Sequence, residues 1–243
     1  MASGLLPLQG RHVAVTGAAG AFGSALLRRL HGQGAQLMAL TSQPTAVELS
    51  DAMGQPVPLS SVCWCCGAEA ALRDQLLAVD ILVINHGVNV QGDRSPAAVE
   101  RSLEVNALSS WRLVELYLSL PDPAPDRPRR ELWVNTSEAE LMPAVSPLYE
   151  ISKRLLGQLL SLRSLDQQGP QACRIRRLVL GPFRSALNPY GVMGADFVAG
   201  QVIAQVRRGV GLVIVTPNPL TYLLFPLAVL MRRLYFGLTS RSH

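Results

Sequence analysis

At 243 residues, 49% of them apolar and 16% charged, the chain is long enough for one large core and too apolar to be disordered. Its net charge of +5 comes from scattered arginines in short clusters (Arg127–Arg130, Arg174–Arg177, Arg207-Arg208), not from a continuous basic stripe with interleaved aromatics, so no nucleic-acid partner is expected. The longest apolar candidate, Leu212 to Met231, is broken by Thr216-Pro217-Asn218-Pro219 and so falls short of the roughly 18–20 residues of a spanning helix. The first residues lack the basic start and apolar stretch of a signal peptide, and a cytoplasmic location is expected.

Strand and helix patterns alternate from the start. His12–Thr16 is a short apolar run ending in a glycine turn, and Ala21–Leu30 follows with Phe22, Ala25, Leu26 and Leu30 on one helical face. Gln36–Leu40 reads as a second strand and Thr45–Met53 as a short helix. Ser61–Cys66, Glu69–Leu77 and Ile81–Ile84 continue as strand, helix and strand. One long helix is predicted over about 96–120, then a surface loop at Pro121–Pro128, where four prolines exclude regular pairing. Leu132–Thr136 is a fifth strand. A helix runs from Pro147 to about Gln168, ended by Gly169-Pro170. Ile175–Leu180, Asp196–Arg208 and Leu212–Val215 complete the series. The alternation implies an α/β fold: a doubly wound parallel sheet of about seven strands, covered on both faces, in one domain over 1–243. An apolar C-terminal segment at about 217–238 follows the last strand.

Cys63 and Cys66 have metal-like spacing, but no second pair completes four ligands. On a buried strand they would pack as small hydrophobes, and no metal site is expected. Lys153 is the only lysine in a chain otherwise served by arginine, which marks it as a position where a guanidinium will not do.

The turn Thr16-Gly17-Ala18-Ala19-Gly20-Ala21-Phe22-Gly23 joins the first strand to the first helix. Small residues there let backbone amides approach a pyrophosphate at a helix N-terminus, so Gly17, Ala19, Gly20, Phe22 and Gly23 are candidate dinucleotide contacts. Alone, the same turn could be a plain tight connection. The second strand ends at Thr41-Ser42-Gln43 with no carboxylate, where one would bind a ribose 2′-hydroxyl and repel a 2′-phosphate. Thr41 and Ser42 therefore favour NADP(H) over NAD(H).

Tyr149 and Lys153 stand four residues apart on one helix face. An ammonium there favours the phenolate and draws the tyrosine pKa down from about 10. Such a pair also occurs on ordinary helix surfaces. Here it comes with further ordered motifs. Asp80-Ile-Leu-Val-Ile-Asn85-His86-Gly87, Val105-Asn106, Val134-Asn135-Thr136-Ser137, Tyr149–Lys153 and Gly181-Pro182-Phe183-Arg184-Ser185 together resemble the short-chain dehydrogenase/reductase family along almost the whole chain.

The resemblance implies a Rossmann-type fold, a nicotinamide cofactor and interconversion of an alcohol and a carbonyl in a small-molecule substrate. Tyr149 would be the general acid/base, Lys153 would hold the nicotinamide ribose, and Ser137 would bond the substrate oxygen. Asn106 would hold a water linking Lys153 to solvent. Asn85, His86 and Gly87 would border the cofactor, with the backbone near Gly87 passing the adenine ribose and His86 holding the strand end rather than acting in catalysis, and Gly181, Phe183 and Ser185 would cover the nicotinamide. Ser137 lies 12 residues before Tyr149, and aligning on Asn135 instead would put Glu138 in its place. Glu138 and Glu140 otherwise read as a solvated loop. Two rivals share the scaffold: an epimerase or dehydratase that retains its nicotinamide, and a dinucleotide-sensing binding module. Short members of the family pair through the helices at about 96–120 and 147–168, and Leu155, Leu156, Leu159, Leu160 and Leu162 predict a homodimer or homotetramer. The C-terminal segment has three readings: interface or core, a lid over a lipophilic substrate, or membrane-surface contact.

Overall fold

The strands β1 (His12–Thr16), β2 (Gln36–Thr41), β3 (Ser60–Cys63), β4 (Ile81–Ile84), β5 (Glu131–Asn135), β6 (Arg174–Leu180) and β7 (Leu212–Val215) form one sheet. Their order is β3-β2-β1-β4-β5-β6-β7, and every neighbouring pair is parallel. The computed structural model describes residues 6–121, 127–167 and 172–240. The chain winds outward from β1 to β3, then returns to β4 beside β1. Ligands of doubly wound sheets bind at this reversal, beyond the carboxyl ends of the strands.

Both faces of the sheet are covered. In β4, Ile81 and Val83 point into a core made with α1 (Ala21–His31) and α6 (Ala195–Arg207). Leu82 and Ile84 point into the opposite core, made with α4 (Ser109–Leu118) and α5 (Pro147–Arg163). The period of two is kept although both faces are apolar, as in a parallel sheet buried on both sides. The smaller helices α2 (Arg73–Leu77) and α3 (Pro96–Leu103) complete the layer on the second face.

Several expectations are corrected. Thr45–Met53 is not helical. The Asp51 carboxylate accepts from the backbone N–H groups of Met53 and Gln55, both at 2.8 Å, and this local turn takes the place of helical bonds. The helix expected at 69–77 is a 3₁₀ turn, Glu69–Leu72, followed by α2. The helix expected at 96–120 is broken by a π-turn over Glu104–Leu108 and ends at Leu118. The third strand ends at Cys63, and Trp64 takes the buried place, leaving Cys63 and Cys65 exposed rather than packed. Most of the proline loop, and the Gly169-Pro170 stop, lie outside the described residues. The Arg174–Arg177 cluster is largely internal. Arg176 is fully buried and forks the Glu131 carboxylate at 2.7 and 2.8 Å.

The largest correction is at the C-terminal end. Asn218 caps, and Pro219 opens, a helix α7 (Pro219–Thr239) of 21 residues. It runs past Arg232-Arg233, and by length and composition alone it is long and apolar enough to cross a membrane. The break at Thr216–Pro219 sets the helix start instead of interrupting an apolar run.

Candidate active site

The turn after β1 forms the floor of the site. Gly17 has φ +62°, and a Cβ there would lie 3.0 Å from the His86 Cα, so β1 and the end of β4 meet closely only at glycine. A Cβ on Gly23 would lie 2.3 Å from the Gly17 carbonyl oxygen. Helix α1 begins at Gly20 with no side-chain cap and no acid in its first turn. The N–H groups of Ala21, Phe22 and Gly23 have no intrahelical acceptor by helix geometry, and the dipole favours an anion in front of them. These residues fit a dinucleotide pyrophosphate. Gly23→Ala is expected to push α1 off the turn. It should weaken cofactor binding by about tenfold or more and destabilise the fold by about 1–3 kcal/mol, read by cofactor titration and thermal melting.

A line of side chains joins this floor to the lysine. Asn85 donates to the Gly17 carbonyl at 3.4 Å, Asn135 donates to the Asn85 side-chain oxygen at 2.8 Å, and the Lys153 ammonium donates to the Asn135 carbonyl at 3.0 Å. Thr16 Oγ1 accepts from the backbone N–H of Asn85 at 2.8 Å and shares a hydrogen bond with His86 Nδ1 at 2.9 Å. His86 also stands edge-on to Trp64, and burial, helped by the Lys153 charge, pushes its imidazole down to about 3. It is held neutral, as a structural member of the strand end. Thr16 and Asn135 carry no expected role in the sequence, although both stand in its motifs. Their signal was their place at the ends of β1 and β5.

Asn106 lies in the π-turn with no exposure. Its side chain accepts from Val88 N at 2.8 Å and donates to Val88 O at 2.9 Å and Ser152 Oγ at 3.0 Å. The amide pins the segment after Gly87 to α5.

Tyr149 and Lys153 share one face of α5. The ammonium is 5.7 Å from the phenol ring centre, and Ser137 closes the group from the end of β5. Burial raises the tyrosine pKa, opposed by the Ser137 hydroxyl, while burial lowers that of Lys153 to about 8. In place of the expected lowering, the phenol's pKa in the chain alone is raised, because desolvation outweighs the Ser137 hydrogen bond. Lys153 has three N–H donors and gives one to Asn135, leaving two for ribose hydroxyls.

Glu138 does not occupy the serine's place. Its carboxylate turns away and accepts from Thr216 at 2.5 Å and Thr221 at 3.2 Å. Glu140 is also not solvated. It is buried, accepts from Arg177 at 3.3 Å and pairs with Arg232 of α7. Both acids thus hold α7 against the segment that carries Ser137.

The remaining candidates border the same cleft. Gly181 packs against Thr216, where a Cβ would lie 2.4 Å from the hydroxyl. The Phe183 ring lies 5.8 Å from that of Phe22, over the first turn of α1. Ser185 closes a small turn with Asn188. Ala19 and Ser42 are exposed, whereas Thr41 is buried and its hydroxyl accepts from Gln43 N at 3.1 Å. Of the two hydroxyls, Ser42 is the one open to a ligand.

A parallel sheet of this order, with a glycine cradle at the reversal and a Tyr–Lys–Ser group beside it, defines a Rossmann-type enzyme of the short-chain dehydrogenase/reductase superfamily. Residues 13–160 match the model of the NAD dependent epimerase/dehydratase family, and the chain belongs to that family. Over 231 residues, 95% of the chain, it is 47% identical to the monoglucosyldiacylglycerol epimerase of Synechocystis sp.. It spans about half, 55%, of that protein's length. Among solved structures, it resembles a Burkholderia cenocepacia short chain dehydrogenase in complex with NADP (TM-score 0.74, 18% identity, 97% of this chain and 100% of that one). It also resembles a Sphingobium yanoikuyae short-chain dehydrogenase in complex with NADPH (TM-score 0.70, 16% identity, 96% of this chain and 97% of that one). At these identities the solved structures speak for the fold. The family favours epimerase or dehydratase chemistry over the net alcohol–carbonyl conversion placed first from the sequence.

Proposed function

We propose that the chain is an NAD(P)-dependent epimerase that inverts one hydroxyl-bearing carbon in the sugar headgroup of a glucosyl lipid. The observation that carries this reading is the Tyr149–Lys153–Ser137 group beside the nucleotide cradle. The lipid part draws on the 47% identical epimerase and on apolar side chains around the cleft.

A bound nicotinamide supplies a reversible hydride acceptor. Tyr149 removes the sugar hydroxyl proton as the C–H bond breaks, and returns it once the carbonyl carbon has been reduced from its other face. Ser137 orients the oxygen through both half-reactions. Lys153 holds the ribose and favours the phenolate. Net redox change is zero, so the cofactor is not consumed. The chain should convert a glucosyl diacylglycerol to its epimer, detected by headgroup sugar analysis, with no net change in NADPH absorbance. Stoichiometric NADPH loss with a carbonyl panel and no epimer formed would reject this reading and restore net oxidoreduction. Cofactor binding with neither activity would favour the sensing module.

NADPH should bind more tightly than NADH, because the end of β2 offers Ser42 and no carboxylate. Fluorescence titration checks this, and equal or reversed affinity rejects it. A homodimer or homotetramer through α4 and α5 belongs to the same proposal, since Leu162 is exposed and Leu155 and Leu159 are half-buried. The exposed free thiols of Cys63 and Cys65 suit a reducing cytoplasm.

A further inference from the structure

Helix α7 has two unlike faces. Thr221, Phe225, Val229 and Arg232, spaced by four, four and three residues, face the body of the protein. Thr221 and Phe225 are buried, Val229 packs with Val179 and Ile214, and Arg232 reaches the buried Glu140. These anchors hold the helix along the surface for more than two turns. The opposite face carries Leu220, Leu223, Leu227, Leu230, Leu234 and Leu238, each more than half exposed.

The position of that face is the second observation. β7 runs parallel to the other strands, so α7 starts at the sheet edge where the site is built. Thr221 bonds Glu138, the neighbour of Ser137, and the exposed leucines therefore begin beside the catalytic cleft. The loops after β5 and β6 emerge at the same edge and present Val145, Leu187, Tyr190 and Val192 to solvent. An apolar rim thus surrounds the cleft mouth and continues along α7.

We infer that α7 and this rim form a docking surface for a lipid bilayer, with α7 lying in the plane of the headgroups. Three features select a bilayer over a second copy of the chain. The leucine stripe is broadened by exposed Leu224, Met231 and Tyr235, which makes it wider than a two-stranded seam. The helix carries no carboxylate, so a partner's Arg233 would find no counter-charge there, whereas anionic headgroups supply one. The exposed Tyr235 and an arginine with a long apolar stem suit the boundary between headgroups and acyl chains. The anchored inner face selects lying over spanning. To cross the membrane, α7 would have to leave Phe225 uncovered and separate Arg232 from Glu140.

This deepens the glycolipid reading. It rests on that reading for the substrate, which would slide from the bilayer into the cleft, but not for the membrane contact. The test is flotation of the purified chain with phosphatidylglycerol–phosphatidylcholine vesicles, without substrate. The chain should float with them, be displaced by alkaline carbonate, and lose vesicle binding by about tenfold or more in Leu223→Glu/Leu227→Glu/Leu230→Glu. All three positions are exposed, so that variant should keep its melting temperature and its NADPH affinity. Vesicle binding that the triple variant retains overturns the proposal. So does failure of the unmodified chain to float, resistance to carbonate, or an oligomer of the unmodified chain that the triple variant dissolves. Epimerase activity is scored separately on detergent-dispersed glucosyl diacylglycerol. Flotation without epimerisation refutes the substrate reading and leaves the docking surface standing.

Discussion

Tyr149→Phe is expected to lower turnover by about 10²–10⁴-fold while leaving cofactor affinity nearly unchanged. On the proposed mechanism the phenol moves the substrate proton, and the phenyl ring fills the same volume beneath Lys153. In the chain alone burial raises the phenol's pKa, opposed by the Ser137 hydroxyl. On the proposed mechanism, Lys153 and the bound cofactor together activate the phenol. Lys153→Arg should therefore fail in a different way. A planar guanidinium cannot bond the Asn135 carbonyl and still present two compact donors to a ribose, so turnover and cofactor affinity should fall together. Deprotonation tests the same point. The ammonium's pKa lies at about 8, so its charge is present below that pH and lost above it. Cofactor affinity should fall as pH rises through 8, and the fall should be absent in Lys153→Arg, whose charge does not titrate in this range. Steady-state rates and cofactor titrations on both variants, beside a check of folding, decide the matter. Near-normal turnover by Tyr149→Phe would remove the tyrosine from the mechanism.

The parts of this site that were legible in the sequence are those held by local motifs. Tyr149 and Lys153 are one helical turn apart, and the glycine turn and Asn85-His86-Gly87 sit at strand ends fixed by the α/β alternation. What was not legible depends on contacts distant in the chain. Asn135 matters because β5 lies beside β4 and brings it to Asn85, 50 residues away. Glu138 and Glu140 looked like loop acids because their partners, Thr216, Thr221 and Arg232, follow 78 to 92 residues later. The π-turn at Asn106 follows from that side chain's bonds to Val88 and Ser152, which helical periodicity does not encode. The long apolar C-terminal helix was hidden by a proline pair that reads as a break and serves as a start. The same limit applied to chemistry. Motifs point to a nicotinamide-dependent enzyme, but they do not cover the loops around the cleft on which the choice between net oxidoreduction and epimerisation would rest.

Glu140→Gln should destabilise the fold more than a surface substitution of the same size. The carboxylate is buried, accepts from Arg177, and pairs with Arg232 of α7. It lies directly over Gly157, where even a Cβ would lie 2.0 Å from the Glu140 Cδ, so there is no space for it to move aside. Removing its charge leaves the Arg177 guanidinium buried without a counter-ion. Such losses cost about 3–5 kcal/mol. Arg177 keeps bonds to the Gly157 carbonyl at 3.0 Å and Ser161 Oγ at 2.6 Å, and Arg232 can reach solvent, which favours the lower end. In a domain of this size, about 3 kcal/mol corresponds to a melting point lower by roughly 6–12 °C. The damage should also be local. With Arg232 released, α7 keeps its anchors at Thr221, Phe225 and Val229 but none beyond them, and its last two turns should become sensitive to protease after Arg232 and Arg233. Limited proteolysis and thermal melting on Glu140→Gln, beside Asp196→Asn as a surface ion-pair control, measure both effects. Equal melting points for the two variants would show that the buried acid is not what holds α7 in place.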